Sequence, residues 1–518
     1  MINRRANLAA ACYLLLLGVG GAVLAQLAWN SVTRYQSGYA IHADLPTGPP
    51  LTSRLVLVVL DGVRVDAAAG MPQLQALASR GSSGVAIAEL PSLSNPGRAT
   101  LATGATPEVH GVTNNGRYSP PPVDSIFSLA KQQGLPVTVY GSYFWQRAFG
   151  DSLDSGRVHA FEKELGPSPD AERLAGWQQQ ICLEMMPVLG DVESGLIVVG
   201  LTATDEAAHD FGGESPQYLQ VVAAVDTCLG SLVQALGRDD TTFVVVADHG
   251  HIQRRGQGGH GGKEPEVVRT PLIFVGRAIA RRHGWTARHF DLAPTISALL
   301  GLPIPANNQG GILAQVLDLT DQDKATLEAH ASEQRMALAN GMPDRDQLQA
   351  DGRRSRAPLS LLAAAWFAAL IIGCLWQAGR AVKKLGGAVL VHLAVYFTLY
   401  WAFGLGYSLS DIVREEYLNW FFLRNSAAAA IAFLLATRLL KADRLATAII
   451  VTSIFGLRVA WVWYDSGLIM ERLMLDLSQA FMAYMDLLHN LAVAVTGVAA
   501  AAIARRRELS RRPTPTQP

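Results

Sequence analysis

Three uninterrupted apolar runs restrict the fold of this 518-residue chain more than any other feature. They cover residues 55–60, 196–199 and 243–246 and consist of valine, leucine, isoleucine and phenylalanine. Runs without alternating polar residues are typical of strands buried on both faces, which occur in parallel sheets covered by helices. Residues 172–189 and 216–236 have the apolar spacing of covering helices. We therefore predict an α/β fold with a mostly parallel sheet.

Acidic and histidine residues follow each of these runs. They are Asp61 after the first run, Asp205 and His209 after the second, and Asp248, His249 and later His260 after the third. Each residue alone is more typical of a turn, a helix face or an ordinary surface position. In a parallel sheet, however, ligands bind beyond the carboxyl ends of the strands, at one edge. Carboxylates and imidazoles that converge there predict a two-metal site.

A candidate nucleophile lies in the segment from Pro91 to Gly104, which reads PSLSNPGRATLATG. Pro96 suits the first turn of a helix, so Ser94 is predicted to lie just before a helix N-terminus. The helix dipole would attract a phosphate to that position. The alternative is that Ser94 merely caps the helix, which is the more common role of a serine there.

Five segments resemble the alkaline phosphatase superfamily, in its nucleotide pyrophosphatase/phosphodiesterase branch. The likeness is greatest to the catalytic domain of GPI ethanolamine phosphate transferases. The segments are VVLDGVRVD from Val58, PSLSNPGRATLATG from Pro91, TDEAAHDFGG from Thr204, ADHGHIQRRGQGGHGG from Ala247 and DLAPTISALLGLPIP from Asp291. They occur in the family's order within residues 55–310, so the resemblance implies an alkaline-phosphatase-like domain there.

The resemblance also implies roles for individual residues. One metal ion would be held by Asp61, Ser94, Asp248 and His249, the other by Asp205, His209 and His260, and both ions would normally be zinc. Asn115 would hydrogen-bond the phosphoryl group, with an ordinary turn position before Gly116 as an equal alternative. His251 and Lys263 are near the site in sequence, and we expect a solvated loop position for each.

Apolar segments in both terminal regions predict a multi-pass membrane protein. Residues 8–29 carry no charge and are long enough to cross a bilayer, and we interpret them as an uncleaved anchor. Five further candidate spans cover residues 359–378, 387–408, 426–437, 446–464 and 482–504. Basic clusters in the loops predict cytoplasmic termini and a periplasmic, or otherwise extracytoplasmic, domain on the inner (plasma) membrane. Arg353, Arg354 and Arg356 are exceptions, because this topology puts them outside.

The predicted organisation is an anchor at 1–35, a catalytic domain at 50–320, a linker at 321–356, a five-helix transmembrane domain at 357–506 and a basic cytoplasmic tail at 507–518. An exported domain would permit a disulfide between Cys182 and Cys228, with two free buried thiols as an equal alternative. Basic and acidic residues number 43 each, so the charge balance gives no indication of a nucleic-acid partner.

Together these features predict a membrane-anchored two-metal phosphotransferase that acts on phosphodiesters through a phosphoserine-type intermediate. Its expected partners are a lipid donor of a headgroup such as phosphoethanolamine and a glycan or lipid acceptor. The alternatives are a phosphodiesterase or phosphatase of the same superfamily, a sulfatase with a modified Ser94, and a non-catalytic membrane scaffold. Arg458, Asp486 and His489 lie in apolar stretches, where either a functional role or mutual structural pairing would explain them.

Overall fold

A computed structural model of the chain describes residues 4–38, 48–116, 120–161, 169–254, 256–341, 345–412, 418–470 and 475–510. The described residues divide into two compact units. Residues 33–344 contain an α/β unit, and residues 1–32 and 345–518 contain an all-helical unit. Most of the predicted basic tail, from residue 511 onward, lies outside the described residues.

The elements are numbered along the chain. The described strands are β1 (Arg54–Leu60), β2 (Ser82–Ile87), β3 (Val137–Ser142), β4 (Val158–Phe161), β5 (Gly195–Leu201), β6 (Thr241–Ala247), β7 (Arg269–Gly276) and β8 (His283–Arg288). The described helices are α1 (Arg4–Thr33), α2 (Val65–Ala68), α3 (Pro72–Arg80), α4 (Ser94–Thr103), α5 (Pro107–His110), α6 (Ile126–Gln132), α7 (Tyr143–Phe149), α8 (Ala171–Gly190), α9 (Ala203–Phe211), α10 (Pro216–Leu236), α11 (Pro265–Val268), α12 (Leu292–Leu300), α13 (Asp321–Gly341), α14 (Arg345–Ala378), α15 (Val382–Ala402), α16 (Leu418–Leu440), α17 (Arg444–Asp465) and α18 (Leu477–Ser510).

The α/β unit is built on one sheet with the strand order β4-β3-β5-β1-β6-β7-β2-β8. All described neighbours pair in parallel except those of β7, which runs antiparallel to both β6 and β2. The predicted mostly parallel sheet is therefore confirmed. The three apolar runs form its centre, because β1 lies between β5 and β6.

Burial on both faces explains why these runs lack polar alternation. Leu55, Leu57 and Val59 of β1 pack into a hydrophobic core that includes α4, α6 and α12. Val56 and Val58 point to the opposite face, into a second core formed with α3, α8 and α10. Successive side chains of a strand alternate between faces, so a strand covered on both sides needs apolar residues throughout.

The predicted covering helices agree closely with the structure, whereas the expectation for Ser94 needs correction. The N-cap of α4 is Leu93 and the helix begins at Ser94 itself, so Ser94 does not cap it. The described part of the predicted linker at 321–356 is helical, because α13 and the start of α14 fall within it. The segment as a whole is polar, but its many alanine, leucine, glutamate and glutamine residues favour helix.

By length and composition, the described residues contain six helical stretches that could cross a membrane. One of them, Pro216–Leu236, is α10, which packs against the sheet in the α/β unit. Another, Gln347–Ala402, contains both α14 and α15. The candidate spans of the helical unit are therefore α1, α14, α15, α16, α17 and α18. They indicate a multi-pass membrane protein, and the predicted short span at 426–437 extends over Leu418–Leu440.

Polar residues inside the helical unit are paired between helices. Arg458 on α17 forms a bidentate ion pair with Asp486 on α18. His489, also on α18, instead lies with its Nε2 3.0 Å from the Nε2 of His392 on α15. The alternative of mutual pairing is thus correct for Arg458 and Asp486. His489 pairs instead with His392, which the sequence analysis did not consider.

Candidate metal centre

The strand register brings the acidic residues to one edge of the sheet. Leu60 at the end of β1 is level with Leu201 of β5 and with Ala247 of β6. Asp61 and Asp248 are the next residues of their strands, and the β5 side continues into α9, which carries Asp205. The convergence follows from the parallel pairing, since the carboxyl ends of the strands meet at that edge.

The first cluster combines two carboxylates, an imidazole and the candidate nucleophile. Asp61, Asp248 and His249 are buried, and their ligand atoms lie close enough together to hold a metal ion. The Oγ of Ser94 is 3.0 Å from His249 Nε2 and 3.4 Å from Asp61 Oδ1. The serine hydroxyl therefore lies beside the donor set.

Arg98 is a member of this site that the sequence analysis missed. It is buried and forms an ion pair with Asp61, and its Nε lies 3.3 Å from Asp248 Oδ2. A hydrogen bond from its Nη1 to Ser142 Oγ, 3.1 Å long, fixes the guanidinium further. The four-residue spacing from Ser94 on α4 puts both side chains on one face of the helix, which is the signal that could have identified it.

The second cluster surrounds Asp205 with histidines. Its ligand atoms come from Asp205, His249, His251 and His260, all near enough to share an ion. His209 lies one turn after Asp205 on α9, with its Nε2 3.5 Å from Asp205 Oδ1. Every predicted metal-binding residue is therefore found at this edge of the sheet.

The expected solvated position of His251 is wrong. Its side chain is fully buried, and its Nε2 lies 2.8 Å from Asp205 Oδ1. His251 follows His249 by two residues, and both rings reach the cluster, with centroids 5.4 Å apart. Lys263 is exposed, in agreement with its expected position.

Asn115 is held beside the start of α4. Its Oδ1 accepts a hydrogen bond of 3.1 Å from the backbone N–H of Asn95, and its own carbonyl accepts one of 2.6 Å from the Asn95 side chain. The first bond fixes the amide orientation, because only the oxygen can accept. The Asn115 NH2 group is then the donor that a phosphoryl oxygen could meet.

Burial lowers the pKa of the clustered histidines. It lowers the pKa of His249 and of His251 to about 3, and it lowers the pKa of His260 well below the usual range. These three imidazoles are consequently neutral at pH 7. A neutral imidazole is the form that binds a metal ion.

The pKa values of the three carboxyl groups are shifted in different directions, depending on the neighbouring residues. Burial raises the pKa of Asp61 and of Asp248, and the Arg98 guanidinium opposes that shift. Burial acts in the same direction on Asp205, but the nearby histidines, His209 foremost, outweigh it and hold the pKa of Asp205 well below its usual range. Three carboxyl groups, of which Asp61 and Asp248 are buried and Asp205 is partly buried, lie beside one arginine and leave the site short of positive charge.

The hydrogen-bonding pattern fits bound cations. His249 Nδ1 lies 3.1 Å from the carbonyl oxygen of the next residue, and His260 Nδ1 lies 3.0 Å from that of Ser92. A carbonyl can only accept, so each Nδ1 carries the hydrogen and each Nε2 presents a lone pair. Those lone pairs face carboxylate oxygens, 3.5 Å away at Asp61 and 3.4 Å away at Asp205. Acceptors that face each other in this way are satisfied by a cation between them.

A cavity of about 250 Å³ opens beside the two clusters. Asp61, Ser94, Arg98, Asn115 and Asp205 contribute to its wall. The rest of the lining includes the aromatic residues Tyr143, Phe144, Phe161 and Trp177 and the acidic residue Glu206. The candidate nucleophile and the donor sets are therefore accessible to a small substrate.

Residues 55–257 match the family model for type I phosphodiesterase / nucleotide pyrophosphatase. Human GPI ethanolamine phosphate transferase 2, catalytic subunit, is 27% identical over 289 residues, which cover 52% of this chain and 28% of that protein. Human GPI ethanolamine phosphate transferase 1 is 26% identical over 324 residues, which cover 54% of this chain and 34% of that protein. The matched segment thus spans about a third of the length of these relatives.

Solved structures with similar folds have lower sequence identity. Murine ectonucleotide pyrophosphatase / phosphodiesterase 5 is 14% identical, with 48% of this chain and 96% of that chain covered and a TM-score of 0.42. Wild-type alkaline phosphatase PafA is 13% identical, with 52% and 100% covered and a TM-score of 0.42. The fold assignment therefore depends on the strand pairing described above. Residues 55–257 are therefore similar to the type I phosphodiesterase / nucleotide pyrophosphatase family, and about half of the chain is similar to a segment of the GPI ethanolamine phosphate transferases.

Proposed function

We propose that this chain is a membrane-bound, two-metal phosphotransferase that moves a phospholipid headgroup such as phosphoethanolamine to a glycan or lipid acceptor. The observation that carries the proposal is the position of Ser94. Its Oγ lies 3.0 Å from His249 Nε2 and 3.4 Å from Asp61 Oδ1, in the wall of a cavity that also contains Asp205. A hydroxyl beside cation-binding carboxylates and imidazoles is a suitable oxygen nucleophile at phosphorus.

Two divalent ions, proposed to be zinc, fit the donor sets, because zinc accepts imidazole and carboxylate ligands. One ion would be held by Asp61, Ser94, Asp248 and His249, the other by Asp205, His209 and His260. His251 is within reach of the second ion as a further ligand or as a residue that orients Asp205. When bound, such ions lower the pKa of a coordinated hydroxyl and stabilise the negative charge of attacking and leaving oxygens.

The chain's own residues would carry the transfer in two steps. Ser94 Oγ attacks phosphorus, the Oγ–P bond forms, and the bond from phosphorus to the lipid oxygen breaks. The proton of the Ser94 hydroxyl ends on the released lipid alcohol. The acceptor hydroxyl then attacks the phosphorus of the phosphoserine, the acceptor O–P bond forms, the Oγ–P bond breaks, and the acceptor's proton ends on Ser94 Oγ. During both steps the Asn115 NH2 group would donate a hydrogen bond to a phosphoryl oxygen, and Arg98 would hold the Asp61 and Asp248 carboxylates in position.

Hydrolysis is the second candidate, because water could resolve the same phosphoserine with the same residues. A sulfatase is less well supported, since it would leave the histidine cluster around Asp205 without a role. Homology to transferases over half of the chain favours transfer.

Trapping the intermediate tests the proposal. Metal-loaded full-length protein incubated with headgroup-labelled phosphatidylethanolamine and no acceptor should accumulate the label on the Ser94 peptide, as seen by mass spectrometry. An added acceptor should remove the label from Ser94 and become labelled itself. Release only into water would establish a phosphodiesterase instead, and an active preparation with unmodified Ser94 throughout would refute the serine mechanism.

We also propose an extracytoplasmic catalytic unit with both termini in the cytoplasm. The exceptional basic cluster is compatible with this topology, because Arg353 pairs with Asp465 at 2.7 Å and Arg356 donates to carbonyl oxygens at the C-terminal end of α17. The Cys182–Cys228 disulfide, with Cα atoms 5.7 Å apart, supports an oxidising compartment. The proposed domain boundaries remain an anchor at 1–35, a catalytic domain at 50–320, a linker at 321–356 and a five-helix transmembrane domain at 357–506.

Fusions to a reporter that is active only outside the cytoplasm test the topology. A fusion after Gly341 should be active, and a fusion after Pro518 should be inactive, because an even number of spans separates the two cytoplasmic termini. A cytoplasmic reporter should give the reverse pattern at the same two positions. An inactive exported reporter at Gly341, with normal expression, would contradict the proposal.

A further inference from the structure

The turn that follows Asp61 lies between the two ligand clusters and touches both. The backbone N–H of Gly62 donates a hydrogen bond of 3.2 Å to Asp248 Oδ1, in the first cluster. A Cβ atom at Gly62 would lie 2.8 Å from His251 Nε2 and 2.9 Å from the Cα of Asp205, in the second cluster. The φ of Gly62, +73°, is one that glycine adopts without strain. The conformation of this turn therefore affects ligands of both metal positions.

Tyr218, near the start of α10, holds this turn from the side of the hydrophobic core. Its hydroxyl donates a hydrogen bond of 3.0 Å to the Gly62 carbonyl and accepts one of 3.1 Å from the backbone N–H of Arg64. All three residues are buried. The backbone N–H of Tyr218 itself donates to the Oγ of Ser215, the N-cap of α10, at 3.0 Å. A single phenolic hydroxyl thus pairs two buried backbone groups, and leaving either one unpaired away from water is costly.

Arg64 connects the same turn to the loop that carries the histidines. Its side chain is buried, and its Nη1 donates a hydrogen bond of 3.0 Å to the carbonyl oxygen of His251. Its Nη2 forms ion pairs with Asp66 at 2.6 Å and with Glu214 at 3.0 Å, and these fix the direction of the guanidinium. His249 lies two residues before His251, so the arginine restrains the segment that supplies imidazoles to both clusters.

We infer that Tyr218 and Arg64 are positioning residues for both metal positions at once, an inference that rests on the proposed function. Without the Tyr218 hydroxyl, the Gly62 carbonyl and the Arg64 N–H have to shift to find other partners. That shift moves Asp61, the neighbouring residue, together with the Gly62 N–H. A ligand set works only when its geometry is held to within about 0.5 Å. Removal of a direct ligand acts mainly on one ion, whereas loss of this shared turn contact acts on both.

Zinc binding to the full-length Tyr218→Phe protein tests the inference without requiring turnover. Competition with a chromophoric zinc chelator gives two stepwise affinities per chain, measured well below the temperature at which the metal-free protein unfolds. We expect both affinities to fall by about tenfold or more, as when a residue that orients a ligand is lost. Tyr140→Phe is the matched control and should change neither affinity, because Tyr140 packs in the same hydrophobic core and its hydroxyl makes no hydrogen bond to the described residues.

Two Arg64 variants add a graded test. Arg64→Met removes the hydrogen bond to the His251 carbonyl, whereas Arg64→Lys retains a charged donor. Arg64→Lys should therefore bind both zinc ions more tightly than Arg64→Met, and equal affinities in the two variants would overturn the inference. A Tyr218→Phe protein with either zinc affinity unchanged would also overturn it, as would an equal loss of affinity in Tyr140→Phe.

These measurements are independent of the trapping experiment, because zinc binding requires no phosphoserine. An unlabelled Ser94, with zinc affinities that depend on Tyr218, would remove the transfer mechanism alone. Zinc affinities that do not depend on Tyr218, with a labelled Ser94, would remove the positioning role alone.

Discussion

Replacement of Ser94 by alanine should lower kcat/KM for phosphodiester substrates by about 10⁴-fold or more, because it removes the group that forms the bond to phosphorus. The fold should remain intact, since Ser94 does not cap α4 and Leu93 holds that position. Steady-state kinetics with a chromogenic phosphodiester and with phosphatidylethanolamine measures the effect.

A matched variant separates chemistry from packing. Ser94→Thr keeps a hydroxyl at the same place and should retain turnover well above that of Ser94→Ala. Metal content should be nearly unchanged in both variants, because Asp61, Asp248 and His249 remain. Comparable turnover in Ser94→Ala and the wild type, at equal metal content, would show that Ser94 is not the nucleophile.

Removal of Asp205 or His260 should empty one metal position and leave the other occupied. Asp205→Ala and His260→Ala are each expected to lower the binding affinity for one metal ion by more than about 100-fold, because each change removes a direct ligand. Loss of a residue that only supports a ligand already lowers metal affinity by about 10–100-fold. Metal analysis after dialysis should give close to one ion per chain, against two in the wild type. His251→Ala should weaken the same ion, given its contact of 2.8 Å with Asp205.

His283→Ala, at an exposed position on β8, is the control and should retain two ions. Lowering the pH should also weaken metal binding. Burial raises the pKa of Asp61 and Asp248, so protons compete with the metal ion for these carboxylates. Affinity should therefore fall as the pH is lowered from neutrality. Two ions at full occupancy in either Asp205→Ala or His260→Ala would contradict the division of ligands.

Much of the α/β unit could be predicted from local sequence. The central strands β1, β5 and β6 can be recognised in the sequence, because burial on both faces requires unbroken apolar runs. Strands β2, β4 and β8 were not predicted, since they are only partly buried and residues such as SSGVAI and HGWTAR have no such run. Their strand identity depends on pairing with β7 and β3, which no local pattern expresses.

The sequence by itself determined the sheet centre, the apolar helices and the set of acids and histidines that meet at one edge, because parallel pairing puts the carboxyl ends of β1, β5 and β6 at the same edge of the sheet. Only the tertiary structure decided that His251 is buried against Asp205, that Arg98 holds Asp61 and Asp248, and that Cys182 reaches Cys228. These are contacts between residues far apart in the chain or between side chains whose direction depends on packing. The type and spacing of a residue limit which contacts it can make, and the packing of the surrounding residues determines which of these contacts forms.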